Sequence, residues 1–382
     1  EAFTISQDND DMDEYARVIL QVDEKNLDEN TKIAQYFENK SSWGKSAKHY
    51  EKCENYNKAL KYYIEEGESC IPEMIEMVGR VKIDSLTHEL VDYLMGEKDG
   101  IPKEPQHTFK LYRAIGNTRQ AIKIAITIAN QEQELGNYSY AHEILFETYK
   151  DIRQNKLHIP YDLNQKLMIL HSYTIGKRLI KSKDHLGGAY MLRRVAKNIS
   201  QFPTHMINIL TSTVAECMKA GLKKEAQNWA LVLMQKENRD QIPENFKQKI
   251  SNIALKNLKT HEDDPEPLSQ CPFCKENIPI TQLECTFCKN SIPFCIATGQ
   301  HMTLSEWSVC PISGMPALLS QYKKILIGED KSCPMGGGNV DHGILRLAED
   351  PQAELKFLTA SPKDENEELE EEEEEEDDED IQ

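Results

Sequence analysis

Aromatic residues are scarce in this 382-residue chain, at 7%, and only three of them are tryptophan. With 39% apolar and 29% charged residues, the shortage argues for a helical protein rich in surface rather than a large-cored enzyme. Long hydrophobic runs are missing as well. No stretch of about 18 apolar residues occurs, which excludes a helical membrane span. The opening EAFTISQDNDDMDEY has neither the basic end nor the apolar stretch of a secretory signal. Its first residue is Glu1 rather than methionine, so a fragment or a processed chain is expected. Catalytic signatures are also lacking. There is no Gly-rich phosphate loop, no G-x-S-x-G, no H-E-x-x-H and no H-x-E paired with P-C-x-x-C. The GGG at 336–338 is not followed by Lys-Ser/Thr.

A basic excess is absent too. The formal net charge is −19, but 15 of the 64 acidic residues fall within 364–380, a stretch without a basic residue. Setting those 15 aside leaves 49 acidic against 45 basic residues, a near-neutral body with a net of −4. Without a basic stripe there is no footprint for a phosphate backbone, which disfavours nucleic acid as a partner. The acidic run repels itself and is expected to be a disordered tail over 364–382.

What the chain does have is helical periodicity. From 31 to 260, apolar residues recur at spacings of three and four, as in NKALKYYIEEG, AIKIAITIANQEQEL and KKEAQNWALVLMQ. The length suggests two or three domains. A local phrase returns six times: a turn, a few variable residues, Ala, two residues, then a large apolar residue. Its alanines are Ala47, Ala59, Ala121, Ala141, Ala189 and Ala226. A small residue there lets a neighbouring helix approach, as at the start of the second helix of a tetratricopeptide-like hairpin. The gaps of 12, 62, 20, 48 and 37 residues follow no period of about 34. The fold expected is therefore all-α: an irregular tetratricopeptide-like α-solenoid over 31–260, after a polar, partly helical lead-in over 1–30. A large helical bundle fits the same pattern. His142, His171 and His205 lie within it and are expected to pack rather than ligate. A Pro-rich linker follows over 261–270, then a zinc-binding domain over 271–340, then a short amphipathic helix within 341–363.

Seven of the ten cysteines lie between Cys271 and Cys333. Cys271, Cys274, Cys285 and Cys288 form two C-x-x-C pairs ten residues apart, CPFCKENIPITQLECTFC. Each C-x-x-C turn sets two thiolates on one edge, and two edges complete the tetrahedron that zinc prefers. Two disulfides would need a secretory context, and a redox C-x-x-C would need a strand–helix context, so a structural Zn2+ is expected. Four thiolates close the site, and no base stands beside it, so the metal's role is folding. Cys295, His301, Cys310 and Cys333 remain as a second, Cys3His zinc site, with His342 as an alternative fourth ligand. A cross-braced pairing would interleave the two sets.

The stretches KNSIPFCIATGQHM (289–302), WSVCP (307–311) and PALLSQYKKIL (316–326) resemble the WD-repeat subunits of intraflagellar transport complex A. The similarity runs back through FPTHMINILTSTVAEC (202–217), MILHSY (168–173), ANQEQELGNYSYAHEILF (129–146) and LMGEKDGIPK (94–103), covering 31–335. The resemblance implies N-terminal propellers, a solenoid and a zinc-binding end, of which this chain carries the last two. It also implies a non-enzymatic scaffold in retrograde ciliary transport, cilium assembly and ciliary entry of membrane proteins. The implied partners are the other complex A subunits and ciliary cargo adaptors, and the implied location is the cilium and its base, in the cytoplasm beside the cytoskeleton. The chain departs from the family where CP-x-C and CPMC are expected: it has Ser313 and Gly336 in place of two thiols. Two other functions compete, a RING-like ubiquitin ligase and a nucleic-acid-binding zinc ribbon. The missing C-x-H-x-x-C core weighs against the first, and the missing basic surface weighs against the second.

Overall fold

Helix dominates the structure, as the periodicity requires. The computed structural model describes residues 2–9, 11–22, 26–256, 263–327 and 330–359. The expected acidic tail, 364–382, lies outside the described residues. Contacts divide the chain into two compact units, Glu1–Ala125 and Ile126–Gln382.

The first unit holds α1 (Ala2–Asp8), α2 (Met12–Val22), α3 (Leu27–Asn39), α4 (Trp43–Lys52), α5 (Tyr56–Glu66), α6 (Ile71–Val81), α7 (Asp84–Leu94) and α8 (Pro105–Ile115). α3 packs on α4, α4 on α5, α5 on α6 and α7, and α6 on α8. Their apolar stripes meet in a core of Tyr50, Leu60, Tyr63, Met74, Leu86 and Leu90. Each such side chain contributes roughly 1.5–3 kcal/mol on full burial. α9 (Thr118–Leu135) contains the division between the units.

The second unit continues with α10 (Tyr138–Gln154), α11 (Tyr161–Lys181), α12 (His185–Lys197), α13 (Met206–Lys219), α14 (Lys223–Leu233), α15 (Lys236–Arg239) and α16 (Glu244–Ala254). Consecutive helices α10 to α14 pack on one another, and α16 closes on α14. Then come β1 (Leu268–Gln270) and β2 (Asn277–Pro279), followed by β3 (Trp307–Val309), β4 (Pro316–Leu318), α17 (Leu319–Leu326) and α18 (Pro351–Thr359). β1–β2 and β3–β4 are antiparallel pairs. β1 thus occupies the end of the expected linker. Within 341–363, the described part is a 3-10 turn, His342–Ile344, and then α18, whose first residue is Pro351.

The repeated alanine phrase has one local geometry. Ala47, Ala59, Ala121, Ala141, Ala189 and Ala226 are all buried. Each sits in the first turns of α4, α5, α9, α10, α12 or α14. Two residues before each of those helices stands a residue with positive φ: Ser41, Glu54, Gly116, Gly136, Lys183 and Gly221. That left-handed residue stops one helix and turns the chain into the next. Glycine takes it freely at three of the six; Ser41, Glu54 and Lys183 bear the strain of about 1 kcal/mol that a Cβ brings there. The turn, rather than glycine, is what repeats.

Candidate metal centre

Among the described residues, four cysteines form the one group of three or more metal-donor side chains gathered closely enough for an ion: Cys271, Cys274, Cys285 and Cys288. All four Sγ atoms lie within 4.8 Å of one another. Cys271 and Cys288 are 3.8 Å apart, and Cys274 and Cys285 are 3.6 Å apart. A tetrahedron with zinc–sulfur bonds of about 2.3 Å has edges of about 3.8 Å, so the donor set fits the ion. The two C-x-x-C pairs meet directly, without interleaving later ligands. Burial pushes Cys271 up to about 12, while the backbone N–H of Cys288 leads in pulling Cys285 down to about 7. A metal would replace the protons on all four.

The backbone explains how the thiols converge. In the loop starting at Cys271, the Cys271 N–H donates to Glu276 O and Lys275 N–H donates back to Cys271 O, with Lys275 at φ 64°. Gln270 pairs across to Asn277. The loop starting at Cys285 repeats every one of these features with Asn290, Lys289 and the Glu284–Ser291 bridge. This is a metal knuckle: N–H groups near the turn aim at sulfur and favour its ionised form.

Three more loops have the same geometry. They start at Cys295, Cys310 and Cys333, donate from the cysteine N–H to Gln300 O, Met315 O and Gly338 O, and have positive φ at Gly299, Gly314 and Gly337. Bridges Phe294–His301 and Ser332–Asn339 and the β3–β4 pair close them at the same register. Five knuckles therefore follow one another, and only the first two keep the second thiol. The other three have Thr298, Ser313 and Gly336 in its place. Sequence reasoning found the lost thiols at 313 and 336 but missed Thr298 and the fivefold repeat. The missed signal is a Lys or Gly four residues after each cysteine.

The second set of candidate ligands is not gathered into one site. Cys310 and Cys333 meet, with their Sγ atoms 3.5 Å apart. The hydrogen bond with Cys333 leads in pulling Cys310 down to about 5, and it holds Cys333 up. Cys295 instead accepts a hydrogen bond from Leu318 N at 3.2 Å, and burial raises its thiol. His301 pairs through Nε2 with Ser269 Oγ at 2.6 Å. His342 is exposed, 3.7 Å from Asp341. Ser313 Oγ accepts from Met315 N and also bonds to Cys310.

The thiol-poor knuckles serve docking. Ile296, Ala297 and Thr298 are buried, and His171 Nε2 on α11 donates to Ile296 O at 2.7 Å. A Cβ on Gly299 would collide with Met191 of α12. Four arginines reach across from the helices. Arg194 donates to Thr281 O at 2.7 Å, and Arg178 donates to Ser332 O at 2.9 Å. Arg153 donates to Gly314 O and, at 2.9 Å, to Glu354 of α18. Arg193 pairs with Glu266 at 2.5 Å. Although burial pushes Glu266 up, bonds from Thr281 and Arg193 hold it below the usual carboxylate range. His142 stacks on His171, so both histidines pack, as expected. His205 ends a 3-10 turn, Pro203–His205, rather than lying within a helix.

A cavity of about 260 Å³ lies beside the first knuckle, lined by Tyr149, His158, Phe273, Phe294 and Met315 among others. No carboxylate, lysine or cysteine lines it. Among the described residues no helix is long and apolar enough to cross a membrane.

No family model matches the chain. Three curated relatives do. The chain is 42% identical, over 92% of its length, to WD repeat-containing protein 19 of Mus musculus, and covers 26% of that protein. Against WD repeat-containing protein 19 of Homo sapiens it is again 42% identical over 92% of its length, covering 26%. WD repeat-containing protein dyf-2 of Caenorhabditis elegans is 36% identical over 93% of the chain, which covers 25% of it. The chain spans about a quarter of the length of these relatives. The WD repeats of their names have no counterpart among the described residues, whose named strands are four of three residues each. Along the residues matched, the chain is similar to about a quarter of WD repeat-containing protein 19 of mouse and human.

Proposed function

We propose that this chain is the solenoid and zinc-stabilised end of a structural subunit of intraflagellar transport complex A. It works by protein–protein contact in retrograde ciliary transport, in cilium assembly and in the ciliary entry of membrane proteins. Its partners are other subunits of that complex and adaptors for membrane cargo, at the cilium and its base. The observation that carries this reading is the 42% identity to WD repeat-containing protein 19 over 92% of the chain. The donor geometry supports the structural part: a four-thiolate set leaves a zinc ion no open position for substrate. Cys271, Cys274, Cys285 and Cys288 hold that ion, and it does no chemistry. In this reading the domains are a solenoid over 31–260 and a knuckle domain over 271–340.

The RING-like alternative loses ground because the two adjacent C-x-x-C pairs meet each other, where a cross-braced ligase fold would interleave them. The test is recovery of the tagged chain from ciliated cells. Co-purification of complex A subunits, lost when Cys271 and Cys288 are both replaced by serine, supports the scaffold. Ubiquitin-chain formation with a conjugating enzyme, and no complex A subunit recovered, would overturn it.

A further inference from the structure

The fourth and fifth knuckles face each other as the first and second do, yet each has lost its second thiol. What remains is one cysteine per loop. Cys310 and Cys333 have their Sγ atoms 3.5 Å apart, close to the 3.6 and 3.8 Å spacings in the complete tetrad. Two thiols are too few to enclose zinc. Tyr322 of α17 donates its hydroxyl to Cys310 Sγ at 3.1 Å, and Ser313 N–H points to the same sulfur at 3.5 Å. Gly336 N–H points to Cys333 Sγ at 3.4 Å. These donors stabilise negative charge on sulfur, the form that attacks an oxidant. Both thiols are buried, but each loop also carries exposed residues: Pro311 and Ile312 in one, Gly336 and Gly337 in the other.

We propose that Cys310 and Cys333 are a reversible disulfide site, oxidised by a hydroperoxide such as hydrogen peroxide, and that the bond staples the two thiol-poor knuckles where a metal staples the first two. The Cys310 thiolate attacks one peroxide oxygen, the O–O bond breaks, and hydroxide leaves to become water by taking a proton. Cys310 is then a sulfenic acid. The Cys333 sulfur attacks Cys310, the S–O bond breaks, and a second water leaves with the Cys333 proton. Overall, two thiols and one hydrogen peroxide give one disulfide and two waters; each sulfur loses one electron, and the peroxide gains two. Forming a bond of about 2.05 Å brings together two Sγ atoms that now stand 3.5 Å apart. A low-molecular-weight thiol reverses the bond by exchange.

The test is made on the full chain, purified reduced and with its metal. After hydrogen peroxide treatment and alkylation, peptide mass mapping should find Cys310 linked to Cys333 in most molecules and released by dithiothreitol. Zinc content, measured on the same sample, should be unchanged, because the tetrad stays protected. In Cys333→Ser the resolving sulfur is gone, so dimedone should label Cys310 as its sulfenic acid. The proposal is overturned if both cysteines stay free after peroxide, or if Cys310 goes to sulfinic acid with no linked peptide. It is equally overturned if both resist alkylation because the pair holds a second metal ion.

Discussion

Two kinds of residue carry the structure at the knuckle end: thiols that gather around an ion, and buried polar groups that tie loops to helices. Replacing Cys271 or Cys288 by serine removes one of four soft ligands and should release the metal, detected as loss of zinc by elemental analysis. His171 shows the second kind. Its Nε2–H is committed to Ile296 O, while its Nδ1 is buried with no partner. Burial, with Arg194 and Arg178 nearby, pulls it down to about 4, and burial pulls His142 down to about 3. A group lowered on folding is neutral when folded, so the unfolded chain takes up the proton first. Stability should be full above pH 6.5 and fall as pH drops toward 4, with His171 alone giving up on the order of 3 kcal/mol. His171→Gln keeps a donor for Ile296 O but cannot titrate, so its melting temperature should fall less steeply over that range. Equal slopes in the two proteins would refute the assignment. The four tetrad thiols were legible from spacing alone, because C-x-x-C is a local geometry. His171 was not: its partner is a backbone carbonyl 125 residues away, and a carbonyl leaves no mark in a sequence.

Among the elements, the six short helix starts and the five knuckles are each one local solution used repeatedly. The alanine phrase announced the helix starts correctly, since a small residue is needed wherever helices touch. The turn before them was harder to see, because Ser41, Glu54 and Lys183 take a conformation usually marked by glycine. The knuckles divide in the same way. Those with two thiols stand out; those with Thr298, Ser313 or Gly336 read as ordinary loops until the backbone hydrogen bonds are compared. Their glycines test the docking role. Gly299 has φ +69° and no room beside Met191, whereas Gly314 has φ +67° and open space around it. Gly299→Ala should therefore destabilise the chain by about 2 kcal/mol or more, and Gly314→Ala by about 1 kcal/mol. Chemical denaturation of the two variants gives the comparison, and equal losses would mean that the third knuckle does not press on α12.

At the scale of the second unit, helices and knuckles form one packed body instead of an array with a loosely attached end. Arg153, Arg178 and Arg194 bond to backbone carbonyls of the knuckle segment, and carbonyl contacts cannot be read from residue identity. The contacts indicate coupling. Arg194→Ala would leave Thr281 O and Ser172 Oγ without their donor and should loosen the first two knuckles without removing the metal, since no thiolate is touched. Faster hydrogen exchange around Thr281 at unchanged zinc content is the expected signature. The central claim is that a metal-clipped knuckle end is folded onto α10–α12. Hydrogen exchange of the full reduced chain, with and without a zinc chelator, tests it most directly. The account predicts that chelation strips protection from 268–302 and also raises exchange in α11 and α12, while α3–α6 serve as an unchanged reference. Knuckle amides equally protected with and without chelator would contradict it.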